Sequence, residues 1–221
     1  MKRYFLFDLD GTLTDTGEGI MACARYALEA FGVTGETDRE LRKFVGPPLE
    51  LAFSQFYGLT GEDLALAVKR YRTHYREVGV YLSPLYPGAD RMLARAAACG
   101  TVCLATSKPQ FFAEKILDMR GVRQHFSVLV GAGLDGTRSD KAEVIREVLR
   151  QLGDPDLSQV LMVGDRRQDI LGARTVGVDS LGVAYGYADP GELEEAGATR
   201  IVQTVEDVAD LLEALSQGGT L

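Results

Sequence analysis

Cysteine is scarce in this chain: Cys23, Cys99 and Cys103 are the only three in 221 residues. Three thiols at that spacing build neither a disulfide framework nor a zinc site, and none has the neighbours a catalytic cysteine requires, so they are expected to stay reduced. Basic residues are in deficit. The 32 acidic residues outnumber the 24 basic ones, for a formal charge of −8, which argues against a nucleic-acid partner. An anionic ligand would have to meet positive charge concentrated locally. No stretch approaches the ~20 apolar residues of a membrane span, and the N-terminal apolar run is too short for a signal peptide. A cytoplasmic protein with no membrane partner is expected. There is also no internal repeat and no low-complexity segment.

What is present begins at Tyr4-Phe5-Leu6-Phe7-Asp8-Leu9-Asp10-Gly11-Thr12. The apolar run reads as a strand buried on both faces, as in the middle of a parallel sheet, and it stops abruptly at two acids. Asp8 and Asp10 then stand at the carboxyl end of the strand, the rim where open α/β sheets bind ligands. Side-chain alternation aims them the same way. Two such charges ~4 Å apart repel by ~4 kcal/mol at an effective dielectric of ~20, so something must neutralise them. A divalent cation, a proton, or a distant Lys or Arg would serve. Gly11 is expected to supply a turn, and Thr12 and Thr14 to satisfy loop amides.

Beyond Asp15 the pattern is helical. Ile20, Cys23, Ala24, Ala27, Leu28 and Phe31 share one face, with Gly32 as a stop. A second helix begins at Leu41 and is interrupted by Gly46-Pro47-Pro48. A third follows a capping box predicted at Thr60 and Asp63. Ser83-Pro84-Leu85-Tyr86-Pro87-Gly88 reads as a linker, after which helices and strands alternate to the C-terminus. The expected fold is α/β, a doubly wound parallel sheet with a Rossmann-like core (1–14 and 83–221) and an inserted all-helical cap (15–82).

Three later strand ends carry polar residues to the same rim. Thr101 to Ala105 ends in Thr106-Ser107-Lys108, whose hydroxyls and amides precede a helix and suit a phosphate oxygen. Asp140 and Glu143 form a predicted capping box, which puts Lys141 in a first helical turn, where the dipole disfavours a cation. Val160 to Val163 ends in Gly164-Asp165, with Asp169 opening the next helix and Gly172-Ala173 expected to bring that helix close to the sheet. Carboxylates, a hydroxyl and an ammonium gathered on one rim are the parts phosphoryl transfer needs.

These segments, in this order, resemble the four motifs of the haloacid dehalogenase-like hydrolases. The likeness spans nearly the whole chain and is nearest to the phosphoglycolate phosphatase group. It implies an Mg²⁺-dependent phosphatase in which Asp8 is the nucleophile and Asp10 the acid and base. It also implies Mg²⁺ on the Asp8 carboxylate, the Asp10 main-chain carbonyl and Asp165, with Asp169 supporting. Thr106, Ser107 and Lys141 would bind the phosphoryl group. The implied partner is a small phosphorylated metabolite, phosphoglycolate-like by preference; the oligomeric state, monomer or homodimer, stays open. Ala142 after the motif lysine and Arg166 after Asp165 depart from the commoner pattern and are similar to 5′-nucleotidases of the family.

A sugar-phosphate mutase and a catalytically silent binding protein are the alternatives. Gly131-Ala132-Gly133-Leu134-Asp135-Gly136 matches a dinucleotide fingerprint in form, but the helical pattern resumes only after Ser139, too late for the third glycine to serve.

Overall fold

Strand β1 (Tyr4–Phe7) lies at the centre of the sheet, and Phe5, Leu6 and Phe7 are fully buried. Each contributes about 2 kcal/mol by leaving water. A computed structural model describes residues 1–221. Five further strands follow: β2 (Thr101–Pro109), β3 (Val128–Ala132), β4 (Val160–Gly164), β5 (Asp179–Val183) and β6 (Arg200–Val202). Every pairing is parallel and the order is β3-β2-β1-β4-β5-β6. The connections run outward from β1 to β3 and then return across β1 to β4. The switch point therefore lies between β1 and β4, where Phe7 is in register with Val163. Ligand crevices form at the carboxyl ends of strands at such a point.

The chain forms two compact units, residues 1–14 with 85–221 and residues 15–84. The second is wholly helical: α1 (Gly17–Leu28), α2 (Asp38–Leu41), α3 (Leu49–Tyr57) and α4 (Gly61–Glu77). Its core holds Phe44 and Phe53, packed edge to face at 4.8 Å, with Tyr71 and Tyr75 stacked at 5.8 Å. Gly32 and Gly58 end helical stretches in left-handed conformation. The two chain crossings run side by side. The Asp15 N–H donates to the Pro84 carbonyl at 2.9 Å, and Thr14 bridges Leu85.

The sheet-bearing unit adds α5 (Ala89–Cys99), α6 (Gln110–Met119), α7 (Lys141–Gln151), α8 (Arg167–Val176), α9 (Glu192–Ala196) and α10 (Val205–Ser216). Val144, Ile145, Val148 and Leu149 form the buried stripe of α7 and meet Leu6, Cys103, Ala105, Val130 and Met162 of the sheet. Burial pushes the Cys103 thiol up to about 12, so it stays protonated.

Some local expectations are corrected. β2 runs four residues beyond Ala105. Thr60 caps α4 by position, but its side chain makes no capping hydrogen bond. Asp140 accepts from the Glu143 N–H, half of the expected box. Gly172 faces Lys141 and Ala142 and lets α8 approach α7, while Ala173 packs with Leu6, Val160 and Met162 of the sheet as expected. Gly131 and Ala132 belong to β3 and no helix opens before Lys141, which removes the dinucleotide fingerprint. α9 was not foreseen, because its five residues are too few to show an apolar helical repeat.

Candidate active site

Three buried carboxylates meet at the switch point. Asp8 follows β1, Asp165 follows β4, and Asp169 sits in the first turn of α8, with one oxygen of each within 4.8 Å of the others. Lys141 opens α7 and is buried between them, its ammonium 2.9 Å from Asp8 and 2.8 Å from Asp169. A third N–H donates to the Ala105 carbonyl at 2.9 Å. The cation misplaced by helix polarity is thus held by two anions. Burial alone would lower the Lys141 pKa, but Asp169 and Asp8 outweigh it and raise it.

Asp165 is fully buried and accepts from the Thr12 hydroxyl at 3.1 Å and the Tyr187 N–H at 2.8 Å. Gly11 has φ +81°, and a Cβ there would collide with the Asp165 carboxylate. Glycine is needed here twice over, for the turn and for the close approach. Thr12 and Thr14 do not satisfy loop amides as expected: their hydroxyls donate to Asp165 and to the Leu9 carbonyl. The loop amides of Thr12, Leu13 and Thr14 donate instead to the Leu9 carbonyl.

Asp10 stands apart from the three acids. Its carboxylate is paired with Lys108 at 2.9 and 3.1 Å, so both acids of the opening motif are neutralised by lysines from distant segments. Thr106 is buried at the end of the regular part of β2, one residue past the Ala105 carbonyl that receives Lys141. Its hydroxyl accepts the Lys108 N–H at 3.2 Å, which leaves its own proton to donate. Ser107 is half-buried beside it and joins none of these pairings.

Lys108 enters the sequence reading only as the end of Thr106-Ser107-Lys108 ahead of a helix, with no role for its own side chain. The helix starts at Gln110, so Lys108 is a cation against a helix N-terminus, the same misfit that singled out Lys141. Arg166, unassigned from sequence, pairs with buried Glu192 at 2.9 Å. Glu192 also accepts the Arg167 and Asp189 N–H groups, so this pair ties the loop carrying Tyr187 to the start of α8.

Three carboxylates facing one ammonium leave an excess of two negative charges. Every donor is a hard oxygen, and the residues fit a divalent cation such as Mg²⁺. Without one, burial and the neighbouring Asp169 and Asp8 raise Asp165 well above the carboxylate range, and burial raises Asp169 to about 6 against the pull of Lys141. Both groups are raised on folding. The folded chain therefore binds more protons than the unfolded one, and ion-free stability falls as pH rises from about 4 through about 6. In EDTA, Tm is expected to drop across this window. Added Mg²⁺ is expected to raise Tm more at about pH 8 than at about pH 5. An Mg²⁺ shift independent of pH would contradict this charge count.

Fold and site together put the protein among hydrolases built on a Rossmann-like core. The chain belongs to the family of haloacid dehalogenase-like hydrolases, matched over residues 5–183. It is 38% identical over 210 residues to a 5′-nucleotidase of Pseudomonas aeruginosa, covering 95% of each chain. It is 30% identical over 190 residues to a phosphoglycolate phosphatase of Agrobacterium fabrum, covering 83% of this chain and 81% of the relative. The solved structure of Mycobacterium tuberculosis protein tyrosine kinase A (PtkA) superposes with a TM-score of 0.82 at 33% identity, covering 96% and 98% of the two chains. Two of the three carry names of phosphate monoester hydrolases, and the protein is a phosphatase of the phosphoglycolate phosphatase-like group.

Proposed function

We infer that the protein hydrolyses a small phosphate monoester through an aspartyl-phosphate on Asp8, with Mg²⁺ as cofactor. The observation that supports this most is the Asp8–Lys141–Asp169 arrangement beside Asp165, which gives a carboxylate nucleophile, a fixed cation and room for a second positive charge. Asp8 attacks phosphorus, the ester P–O bond breaks, and the departing oxygen takes a proton from Asp10. A water molecule then gives its proton to Asp10 and opens the aspartyl-phosphate, releasing inorganic phosphate and restoring Asp8. Thr106, Ser107 and Lys141 bind the phosphoryl oxygens. The Asp8 carboxylate, the Asp10 main-chain carbonyl and Asp165 would hold Mg²⁺, with Asp169 in support. When bound, Mg²⁺ supplies positive charge against the phosphoryl oxygens. Residues 15–84, the helical unit, carry selectivity.

The substrate is phosphoglycolate-like or a nucleoside 5′-monophosphate. The second reading is favoured by the Pseudomonas relative's name and by the Ala142 and Arg166 departures. A kinetic panel of phosphoglycolate, nucleoside monophosphates and sugar phosphates, run in Mg²⁺ and in EDTA, tests both. Free phosphate is expected from one class at a kcat/KM at least about tenfold above the others, and none in EDTA. An isomerised sugar phosphate in place of free phosphate would make the protein a mutase.

A further inference from the structure

We propose that Lys108 is the positioning residue for Asp10, and that β2 is bulged at its end in order to deliver it. The observation begins with register. Ala105 pairs with Val130 and Pro109 with Ala132, so Thr106, Ser107 and Lys108 of β2 stand against Gly131 alone. A bulge at the rim of a sheet bends its strand and re-aims a side chain. Two features hold this one. The Thr106 hydroxyl accepts the Lys108 N–H at 3.2 Å, and Gly131 leaves the space the bulge occupies. A Cβ on Gly131 would stand 2.7 Å from the Lys108 carbonyl oxygen and 2.7 Å from the Gln110 Cα, both backbone atoms with little freedom to yield.

The re-aimed side chain crosses to the segment after β1 and meets both oxygens of Asp10, at 3.1 and 2.9 Å. Both partners are shielded, with 6% of the Lys108 side chain and 17% of the Asp10 side chain exposed. An ion pair this enclosed holds geometry that a solvated surface pair does not. Asp10 lies beyond the end of β1 in a tight turn bridged to Thr14, which fixes its backbone but leaves the direction of its carboxylate to side-chain contacts. A group that takes a proton from water attacking phosphorus must be held to within a fraction of an ångström, and a misplacement of about 1 Å costs about 100-fold. Lys108 fixes the plane and direction of that carboxylate.

This inference rests on the reading of Asp10 as the base of the second half-reaction. There a water O–H bond breaks with its proton going to Asp10, and the water oxygen bonds to phosphorus. The bond from phosphorus to the Asp8 oxygen breaks, and its electron pair returns to the Asp8 carboxylate. An aryl phosphate isolates this half, because nitrophenolate leaves without a proton. With p-nitrophenyl phosphate in Mg²⁺, rapid-quench measurement of Lys108→Met is expected to show a burst of about one nitrophenol per site at near wild-type rate. Steady turnover should then be about 10- to 100-fold slower than wild type. Asp10→Asn should burst in the same way, and the double variant should be no slower than Asp10→Asn alone, since Lys108 acts only through Asp10. The double variant also removes both charges, so it guards against misfolding of a chain with one partner stranded. A burst in Asp10→Asn with none in Lys108→Met, or further slowing in the double variant, overturns the role of Lys108 while the reading of Asp10 stands. No burst in Asp10→Asn overturns both.

Discussion

Asp8→Asn is expected to reduce hydrolysis of an aryl phosphate at least about 10⁴-fold, to the level of the background reaction. The amide cannot form the acyl-phosphate bond, and Lys141, Asp165 and Asp169 all remain without a group to attack phosphorus. The fold should not suffer. Asp8 raises the pKa of both Asp165 and Asp169 by like-charge repulsion, so removing its charge relieves the cluster, and Lys141 keeps Asp169 at 2.8 Å. Tm is therefore expected to hold or rise while activity disappears. Phosphate label quenched onto the protein during turnover should appear in wild type and be absent in the variant. Residual turnover above about one tenth of wild type would remove Asp8 from the role of nucleophile.

Lys141→Met has a different signature, because it strikes stability and activity together. The change leaves Asp8, Asp165 and Asp169 buried with no fixed counter-charge. Breaking a buried pair by removing one partner costs about 3–5 kcal/mol, which for a chain of this size lowers Tm by about 10 °C. The Lys141 pKa is raised on folding, so its contribution is complete below the unfolded value of 10.5 and fades only as pH climbs through the higher folded value. A melt at about pH 7 reads all of it. Two rescues follow from the same charge count. Lowering the pH to about 5 protonates the neighbouring acids and should shrink the deficit, and millimolar Mg²⁺ should do so at neutral pH. Activity is expected to fall at least about 10³-fold, since the phosphoryl oxygens lose a fixed cation in a site that excludes water. An unchanged Tm at pH 7 would show that the acids do not depend on Lys141.

Much of this architecture was legible in the residues themselves. β1 and β4 announced themselves as apolar runs that end in acid, and Lys141 as a cation where a helix disfavours one. The paired acids of the opening motif demanded a counter-charge, and two lysines supply it. What stayed hidden depended on tertiary pairing. The role of Arg166 is set by Glu192, 26 residues later. Lys108 reaches Asp10 only because a bulge, a property of how β2 lies on β3, turns it inward.

The paired crossings at Thr14–Asp15 and Pro84–Leu85 have a consequence for how such proteins diversify. Because entry and exit are adjacent, held by the two hydrogen bonds of one bridge, Asp15 N–H to the Pro84 carbonyl and Tyr86 N–H to the Leu13 carbonyl, the helical segment is a loop enlarged into a module. It can be exchanged, shortened or rebuilt without disturbing a strand of the sheet. Recombination at these two joints offers a route to new specificities that leaves the reactive acids where they are.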